Sequence, residues 1–561
     1  MKEKLKKLDK NKVIIISLIV LTIIRVLIGM QLPVGIFEEQ MHDDALMHNY
    51  AFNLRSFHWL GSYNQLTLVK GITFPVFMAL CNFLYIPYSM GLTLLYIFAV
   101  FCIIKALKPK FSNKTLVIMY ILLLFTPSMF DQFISQRVYR NAILPSATLL
   151  VYAGFIGMFF RKDKPIKDNL FFILLSIFSL IFFWHIKEDS IWILPFTIVI
   201  SILSVIYWII NDRKKIFTKI LIILLPFISL FSFNRIYSYI NYNVYGINVV
   251  SDKSNGNFSR MIKDMLLIED KKNTDKNIWI SSYMIDEIYE ISPTFKELKP
   301  TMDEFDGWLE DNGEVRGDLV IWRIRTVMSM NNLYENAKKA DDFSKKVADE
   351  IEDAFKNGKL KKDKRMHITS QMRGIDLDDI FDSMSLGHKW FYELGRYDRI
   401  GASNVRSTGV LSSVQDVQAF ISSNIMYQDA HYEYGAVNKA NKVVDIYKLF
   451  GMPVTILSLI CFVLITIKVI IDIFKRKFAD LDLYIVIVGI GLSIILLLTE
   501  VALFTLFFDK QTLMYFRNFY CASAFPLMHL FKYMTISLGL KYVYEYIKDT
   551  KLLKRRNLNG K

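Results

Sequence analysis

Apolar residues fall in long uninterrupted runs along most of this chain, with short basic segments between them. A helix needs roughly 20 apolar residues to cross the hydrocarbon core of a bilayer, and these runs are of that order. A further run, 71–88, is barely long enough and has Pro75 near its start and Pro87 near its end, so it is either a span or an interfacial helix. The clear runs are at about 13–34, 90–107, 115–130, 142–160, 170–187, 190–211, 217–236, 449–473, 483–508 and 518–540.

The composition is that of a polytopic membrane protein. Hydrophobic residues make up 53% of the 561 positions and the mean hydropathy is +0.30, more apolar than an ordinary soluble domain requires. The net charge of +15 is concentrated beside the hydrophobic runs, as at 2–12, 105–114 and 551–556. This distribution indicates membrane topology, and nucleic acid is not an expected partner.

The basic loops decide the orientation, because Lys and Arg are enriched in short cytoplasmic loops. If 71–88 crossed the membrane, four basic loops would lie outside. If it lies on the outer surface, all four loops and both termini are cytoplasmic. The sequence therefore predicts ten spans in the cell membrane, with residues 33–89 as one long outer loop. The basic loops are those at 108–114, 161–167, 213–215 and 475–477.

The predicted fold is an all-α polytopic membrane protein with a mainly α-helical extracytoplasmic domain. Within that domain, Phe343, Val347 and Ile351 recur at helical spacing in a helix predicted over 340–361. The predicted divisions are a transmembrane module at 1–236, the extracytoplasmic domain at 237–448, and C-terminal spans with a basic cytoplasmic tail at 449–561.

The first outer loop opens on a cluster of four carboxylates between positions 38 and 44. Apolar residues at four-residue spacing follow at 46–54 and predict an amphipathic helix on the membrane surface. One Asp is enough to cap such a helix, and charges beside a bilayer are costly to desolvate. Asp43 and Asp44 are therefore candidate functional carboxylates as well as candidate caps.

The features that surround this pair follow a recognisable order. A first span, Asp43-Asp44, an interfacial helix, a Trp-Leu-Gly-Ser-Tyr-Asn turn at 59–64 and a second interfacial helix that opens at 70–75 succeed one another. This order resembles the GT-C superfamily of integral-membrane glycosyltransferases, which includes protein O-mannosyltransferases and the aminoarabinose transferases of lipid A. The resemblance covers mainly residues 13–110, and Gly-Ile-Thr-Phe-Pro stands where a Pro-Pro pair is usual.

The resemblance implies a glycosyltransferase that takes its sugar from a polyprenyl-phosphate-linked donor in the bilayer. The acceptor would be an extracytoplasmic glycan, glycolipid or protein, and membrane lipids would surround the chain. Asp43 matches the catalytic Asp of the superfamily, which assists the loss of a proton from the acceptor hydroxyl. Asp44 would be a helper, a sugar-binding group or a metal ligand.

The leaving phosphate of such a donor needs cations at the outer face. The candidates are Lys70, Arg137, Arg140, Lys510 and Arg517, of which Lys510 lies outside the residues that the structure describes. Arg137 and Arg140 are three positions apart and would share one side of a helix. The alternative is that these side chains extend to lipid head groups, as cations at the ends of spans commonly do.

Glu188 and Asp189 lie in a loop so short that it must sit at the mouth of the bundle. Together with Asp44 they offer hard oxygen ligands that suit Mg²⁺ or Mn²⁺. The alternative is that they only keep a tight loop solvated.

A transporter or flippase for a polar lipid or polysaccharide is the alternative function. Transporters place ionisable groups near the bilayer midplane, beside broken helices that belong to internal repeats. The predicted spans carry few charges apart from Arg25 and Glu500, and the sequence shows no repeat. These observations favour the transferase.

Overall fold

Helices account for nearly all of the regular structure. The computed structural model describes residues 10–369, 371–509 and 514–559, and the side chains of 549–559 are outside that description. Within these ranges the one sheet pairs β1 (Arg406–Ser407) with β2 (Met426–Tyr427) in parallel.

The α-helices of the described residues are numbered here in chain order. They are α1 Lys10–Gln31, α2 Asp44–Arg55, α3 Thr73–Phe83, α4 Tyr88–Leu107, α5 Asn113–Leu124, α6 Leu144–Phe159, α7 Ile166–Trp184, α8 Leu194–Asn211, α9 Ile216–Tyr245, α10 Gly256–Leu266, α11 Ser282–Ile291, α12 Pro293–Lys296, α13 Lys299–Glu304, α14 Leu319–Met330, α15 Ala337–Lys356, α16 Leu377–Gly395, α17 Leu411–Ile421, α18 Gly435–Phe474, α19 Leu481–Phe507, α20 Arg517–Tyr520 and α21 Ala524–Asn559.

Nine helical segments of the described chain are long and apolar enough to cross a membrane. Seven precede the polar central region, and α18 and α19 follow it. The tenth predicted run, 518–540, falls on α20 and the first half of α21 and is not among the nine. Polar side chains such as His529 and Lys532 lower the hydropathy of that run.

The ambiguous run 71–88 forms α3, a helix of 11 residues. At 1.5 Å per residue α3 is about 16 Å long, too short to cross a hydrocarbon core of about 30 Å. Phe74 and Met78 are buried, whereas Leu80 and Phe83 on the other side are more than half exposed. This geometry agrees with the prediction that the run is not a span.

Two apolar cores organise the molecule. The larger fills the helical bundle, and the smaller is built from residues between Phe258 and Ile375 together with Phe507. The predicted helix over 340–361 is found as α15, which contributes to the smaller core. Residues 390–444 pack into the larger core. The separately packed part of the outer region is therefore narrower than the predicted 237–448.

Four segments meet where the loop 33–89 leaves α1. Gly35 forms a parallel bridge with Arg137, and Phe37 forms one with Thr408. The amide of Thr73 donates to the carbonyl oxygen of His185 at 3.0 Å. These backbone contacts bring the first loop, the segment after α5, the turn between α7 and α8 and the segment before α17 to one end of the bundle.

We expect Gly154→Leu to destabilise the bundle, because α6 and α7 are in close contact at this glycine. A Cβ atom on Gly154 would lie 2.8 Å from the backbone of Ser176, so the helices must separate. Overpacking of this kind costs about 1–3 kcal/mol, and the apparent Tm in detergent should fall. Gly435→Leu is the control, since no atom lies within 4 Å of a Cβ there. Equal Tm values for the two variants would contradict the close contact.

Candidate functional site

Asp43 lies directly before α2, but its side chain does not cap the helix. Its carboxylate pairs with Lys70 Nζ and accepts a hydrogen bond of 2.9 Å from the Tyr139 hydroxyl. Arg137 Nη2 lies 3.8 Å from the other carboxylate oxygen. The Asp43 side chain is 35% exposed and that of Lys70 only 6%. Asp43 is thus an accessible carboxylate backed by buried cations.

Asp44 has a different role, since its side chain is fully buried. Arg137 donates to Asp44 Oδ1 from Nε at 3.0 Å and from Nη2 at 2.6 Å. The amide of Phe37 donates to Asp44 Oδ2 at 3.1 Å. The two adjacent candidates are therefore not equivalent: Asp44 is buried and holds Arg137 in place, whereas Asp43 is partly exposed.

Tyr139 joins the charged groups, and the sequence analysis missed it. Its hydroxyl accepts from Lys70 Nζ at 2.7 Å and from Arg140 Nε at 3.1 Å, and it donates to Asp43. Its ring stacks on Phe519 with centroids 5.7 Å apart. The one feature of the sequence that could have indicated Tyr139 is its position between two candidate arginines, Arg137 and Arg140.

Arg137 and Arg140 do lie close together. The prediction that they share one side of a helix is wrong. Arg137 lies in an extended segment paired with Gly35, Tyr139 is extended, and Arg140 begins a short 3₁₀ helix. The two guanidinium carbons lie 4.8 and 5.5 Å from the centroid of the Tyr139 ring. Contact of both cations with Tyr139, and not a shared helix face, brings them together.

Glu188 belongs to the same network, whereas Asp189 does not. Glu188 accepts from Arg140 Nη1 at 3.0 and 2.8 Å and from the amide of Gly71 at 3.0 Å. Asp189 is 54% exposed and pairs with Lys187 at 2.8 Å. Each carboxylate that the sequence offered to Mg²⁺ or Mn²⁺ is paired with a cation. Within the described ranges no group of three or more His, Cys, Asp or Glu side chains is arranged to hold a metal ion.

Arg517 is not part of this network. Its Nη1 pairs with Glu393, and its Nη2 lies 3.4 Å from the carbonyl oxygen of Asp398. The single turn of α20 directs Arg517 towards the end of α16 and places Phe519 against Tyr139. The prediction that Arg517 joins Lys70 is therefore not met in this arrangement.

Residues of the polar central region form a second group of contacts beside the network. Lys253 Nζ lies 3.8 Å from Asp318 and 4.7 Å from the centroid of the Trp322 ring. The His42 ring, next to Asp43 in sequence, meets Trp322 edge to face at 4.6 Å. The residues of this group are far apart in sequence, so hydropathy and spacing did not predict that they lie together.

The charges of the network stabilise one another. Burial would raise the pKa of Asp43, but Lys70 and Arg137 outweigh it and hold that pKa well below its usual range. Burial likewise opposes ionisation of Glu188, yet Arg140 and Lys70 lower its pKa to about 2. Asp43 and Glu188 are therefore ionised at neutral pH. Three cations beside a partly exposed carboxylate suit recognition of a phosphate next to a group that accepts a proton.

These features define a mostly helical protein with helices suited to a membrane and a buried ion network where residues 33–89 meet the bundle. No protein-family model, curated protein or solved structure matches this chain.

We expect Asp44→Asn to lower the apparent Tm strongly, because it removes the fully buried carboxylate that holds Arg137 and leaves Arg137 only the longer contact of 3.8 Å with Asp43. Breaking a buried pair costs about 3–5 kcal/mol, whereas an exposed pair contributes about 0–1 kcal/mol. Asp189→Asn removes an exposed carboxylate in the same way and is the matched control. Similar losses of Tm in the two variants would show that the Asp44–Arg137 pair contributes no more to stability than the exposed pair of Asp189.

We expect the stabilisation due to Glu188 to be lost in acid. Its pKa is lowered from 4.5 to about 2 on folding, so the stabilisation is complete above the unfolded value and falls as the pH drops towards 2. The Tm difference between the wild type and Glu188→Gln should therefore shrink between about pH 6 and pH 3. Glu335→Gln, at a carboxylate 69% exposed, is the control. A difference that grows in acid would contradict the lowered pKa.

Proposed function

We propose that this protein is a membrane glycosyltransferase that moves a sugar from a polyprenyl-phosphate-linked donor to an extracytoplasmic acceptor. One observation carries the proposal: the accessible carboxylate of Asp43 contacts Lys70 and Tyr139 within a group of buried cations. A proton acceptor and a phosphate site are thus adjacent. The order of features in the first loop, with its resemblance to GT-C transferases, supports the same function.

The charge pattern supports an orientation with both termini in the cytoplasm and the Asp43 network outside. The network lies where α6 and α8 begin. At the opposite ends of the helices, Asp482 pairs with Lys110 and Lys162 at 3.4 and 2.6 Å. The basic loops on that side favour a cytoplasmic location, which makes the protein a multi-pass protein of the cell membrane.

The donor phosphate would bind at Lys70, Arg137 and Arg140. Arg presents a planar fork of donors to phosphate oxygens, and Lys adds a compact charge. A bound phosphate shares these cations with the carboxylates, so less positive charge remains to stabilise ionised Asp43. The pKa of Asp43 then rises, which makes it a better base.

In the transfer step, the acceptor hydroxyl oxygen forms a bond to the anomeric carbon and its proton passes to Asp43. The bond between that carbon and the donor phosphate oxygen breaks, and the phosphate keeps the electron pair. Cations at the site stabilise the charge on the leaving phosphate. Asp44 is a positioning residue, since it acts through Arg137. The acceptor is a glycan, a glycolipid or a protein.

We expect Asp43→Asn to reduce sugar transfer by roughly 10²- to 10⁴-fold, the usual contribution of a positioned base. The measurement is release of decaprenyl phosphate from a panel of radiolabelled decaprenyl-phosphate hexoses. Purified protein in proteoliposomes would be supplied with envelope extract as acceptor. Binding of decaprenyl phosphate itself should persist in Asp43→Asn and weaken in Lys70→Gln, because Lys70 is the phosphate ligand.

Glu39→Gln is the matched control, since Glu39 accepts from Thr408 outside the network. Full turnover in Asp43→Asn would remove Asp43 from the role of base. Movement of the intact labelled lipid across the bilayer, without release of decaprenyl phosphate, would replace the transferase by the transporter.

A further inference from the structure

The segment 65–71, which carries Lys70, lies where the two apolar cores meet. Tyr63, just before this segment, packs against both cores, and its ring stacks on Tyr334 with centroids 6.0 Å apart. Residues 67–69 are buried. The position of the segment is therefore open to influence from the smaller core as well as from the helical bundle.

The smaller core reaches this segment through α14. Arg325 of α14 is fully buried, and its Nε donates to the carbonyl oxygen of Gln65 at 2.9 Å. Ser329, one turn later, donates to Gln65 Oε1 at 3.1 Å. A guanidinium group gives directed hydrogen bonds from a rigid plane, so it fixes both the position and the direction of the backbone that it contacts. The start of the segment therefore follows the position of α14.

Asp252 connects the same arginine to a second point of the segment. Arg325 Nη2 pairs with Asp252 Oδ2 at 3.0 Å, and only 8% of the Asp252 side chain is exposed. The amide of Asp252 donates to the carbonyl oxygen of Leu68 at 3.1 Å. Leu68 has a positive φ of 64°, a conformation that a leucine keeps only where its surroundings hold it. Asp252 thus holds the backbone two residues before Lys70.

At its other end the segment joins the Asp43 network. Lys70 Nζ contacts Asp43 and the Tyr139 hydroxyl. The next residue, Gly71, donates from its amide to Glu188 at 3.0 Å. Because the segment is short, buried and bonded at both ends, a shift of α14 relative to the bundle is passed on to Lys70.

We propose that Arg325 and Asp252 position Lys70 and thereby set the affinity of the site for the donor phosphate. They are positioning residues, since they act on the phosphate through Lys70. The effect on phosphate rests on the proposed function, whereas the effect on the position of Lys70 does not. The smaller core would thus regulate the cation that we place at the donor.

The first test measures the position of Lys70 without a donor. The full chain in phosphatidylcholine nanodiscs is labelled with an amine-reactive ester, and the rate of labelling at Lys70 is followed by mass spectrometry. We expect Arg325→Lys to raise that rate about tenfold, within the usual range of coupling between two sites, because Lys70 is held less firmly against Asp43. Lys162 is the internal reference, since its side chain is also 6% exposed and also pairs with an aspartate.

Arg323→Lys is the matched control. Arg323 is also buried in α14, but it donates to the carbonyl oxygens of Met302 and Gly307 at 2.8 Å each. Its replacement should lower the apparent Tm without a change in the labelling of Lys70. Equal labelling of Lys70 in the wild type and in Arg325→Lys would overturn the proposal, and so would an equal rise in the two arginine variants.

The second test measures the consequence for phosphate. Binding of decaprenyl phosphate should weaken about tenfold in Arg325→Lys and stay unchanged in Arg323→Lys. The double variant of Arg325→Lys with Lys70→Gln should bind no more weakly than Lys70→Gln alone, because Arg325 acts through Lys70. A further loss in the double variant would overturn the positioning role. If the labelling of Lys70 responds to Arg325→Lys but the wild type binds no decaprenyl phosphate, the proposed function is overturned and the positioning of Lys70 is still supported.

Discussion

The buried ion pair between Asp44 and Arg137 is the interaction on which this end of the bundle depends. It joins the start of α2 to the extended segment before α6, and the fully buried carboxylate of Asp44 needs the charge of Arg137. The guanidinium groups of Arg137 and Arg140 both approach the Tyr139 ring, and the Tyr139 hydroxyl donates to Asp43. The partly exposed carboxylate of Asp43 is thus oriented by a network whose charges are already compensated.

Much of the helical architecture could be predicted from hydropathy, because a bilayer-length apolar run has few other stable conformations. The short α3 was predictable from its length and its flanking prolines. The run at 518–540 was harder, because α21 buries His529 and Lys532 among other helices. A helix that is buried among other helices can carry polar side chains, because it does not face lipid. The sequence alone does not show which helices are buried in this way.

The site was predictable where neighbours in sequence are neighbours in space, as for Asp43 and Asp44. Tyr139, by contrast, became visible only when three separate segments met around its hydroxyl. Arg517 was predicted to join the network but does not. In the single turn of α20, Arg517 pairs with Glu393 of α16, whereas Phe519 packs on Tyr139 of the network. The direction of a side chain in a short turn depends on tertiary packing, which spacing rules do not contain.

Charge compensation also constrains the chemistry. A carboxylate with a strongly lowered pKa is a weak base, so Asp43 in the present arrangement is better suited to holding Lys70 than to taking a proton. In the proposed transfer, an arriving phosphate would compete for the same cations and would so couple donor binding to the basicity of Asp43. Without a donor, Asp43 would stay paired and would not activate water. The ion network that stabilises the bundle end would therefore also restrict the reaction to the complex with the donor.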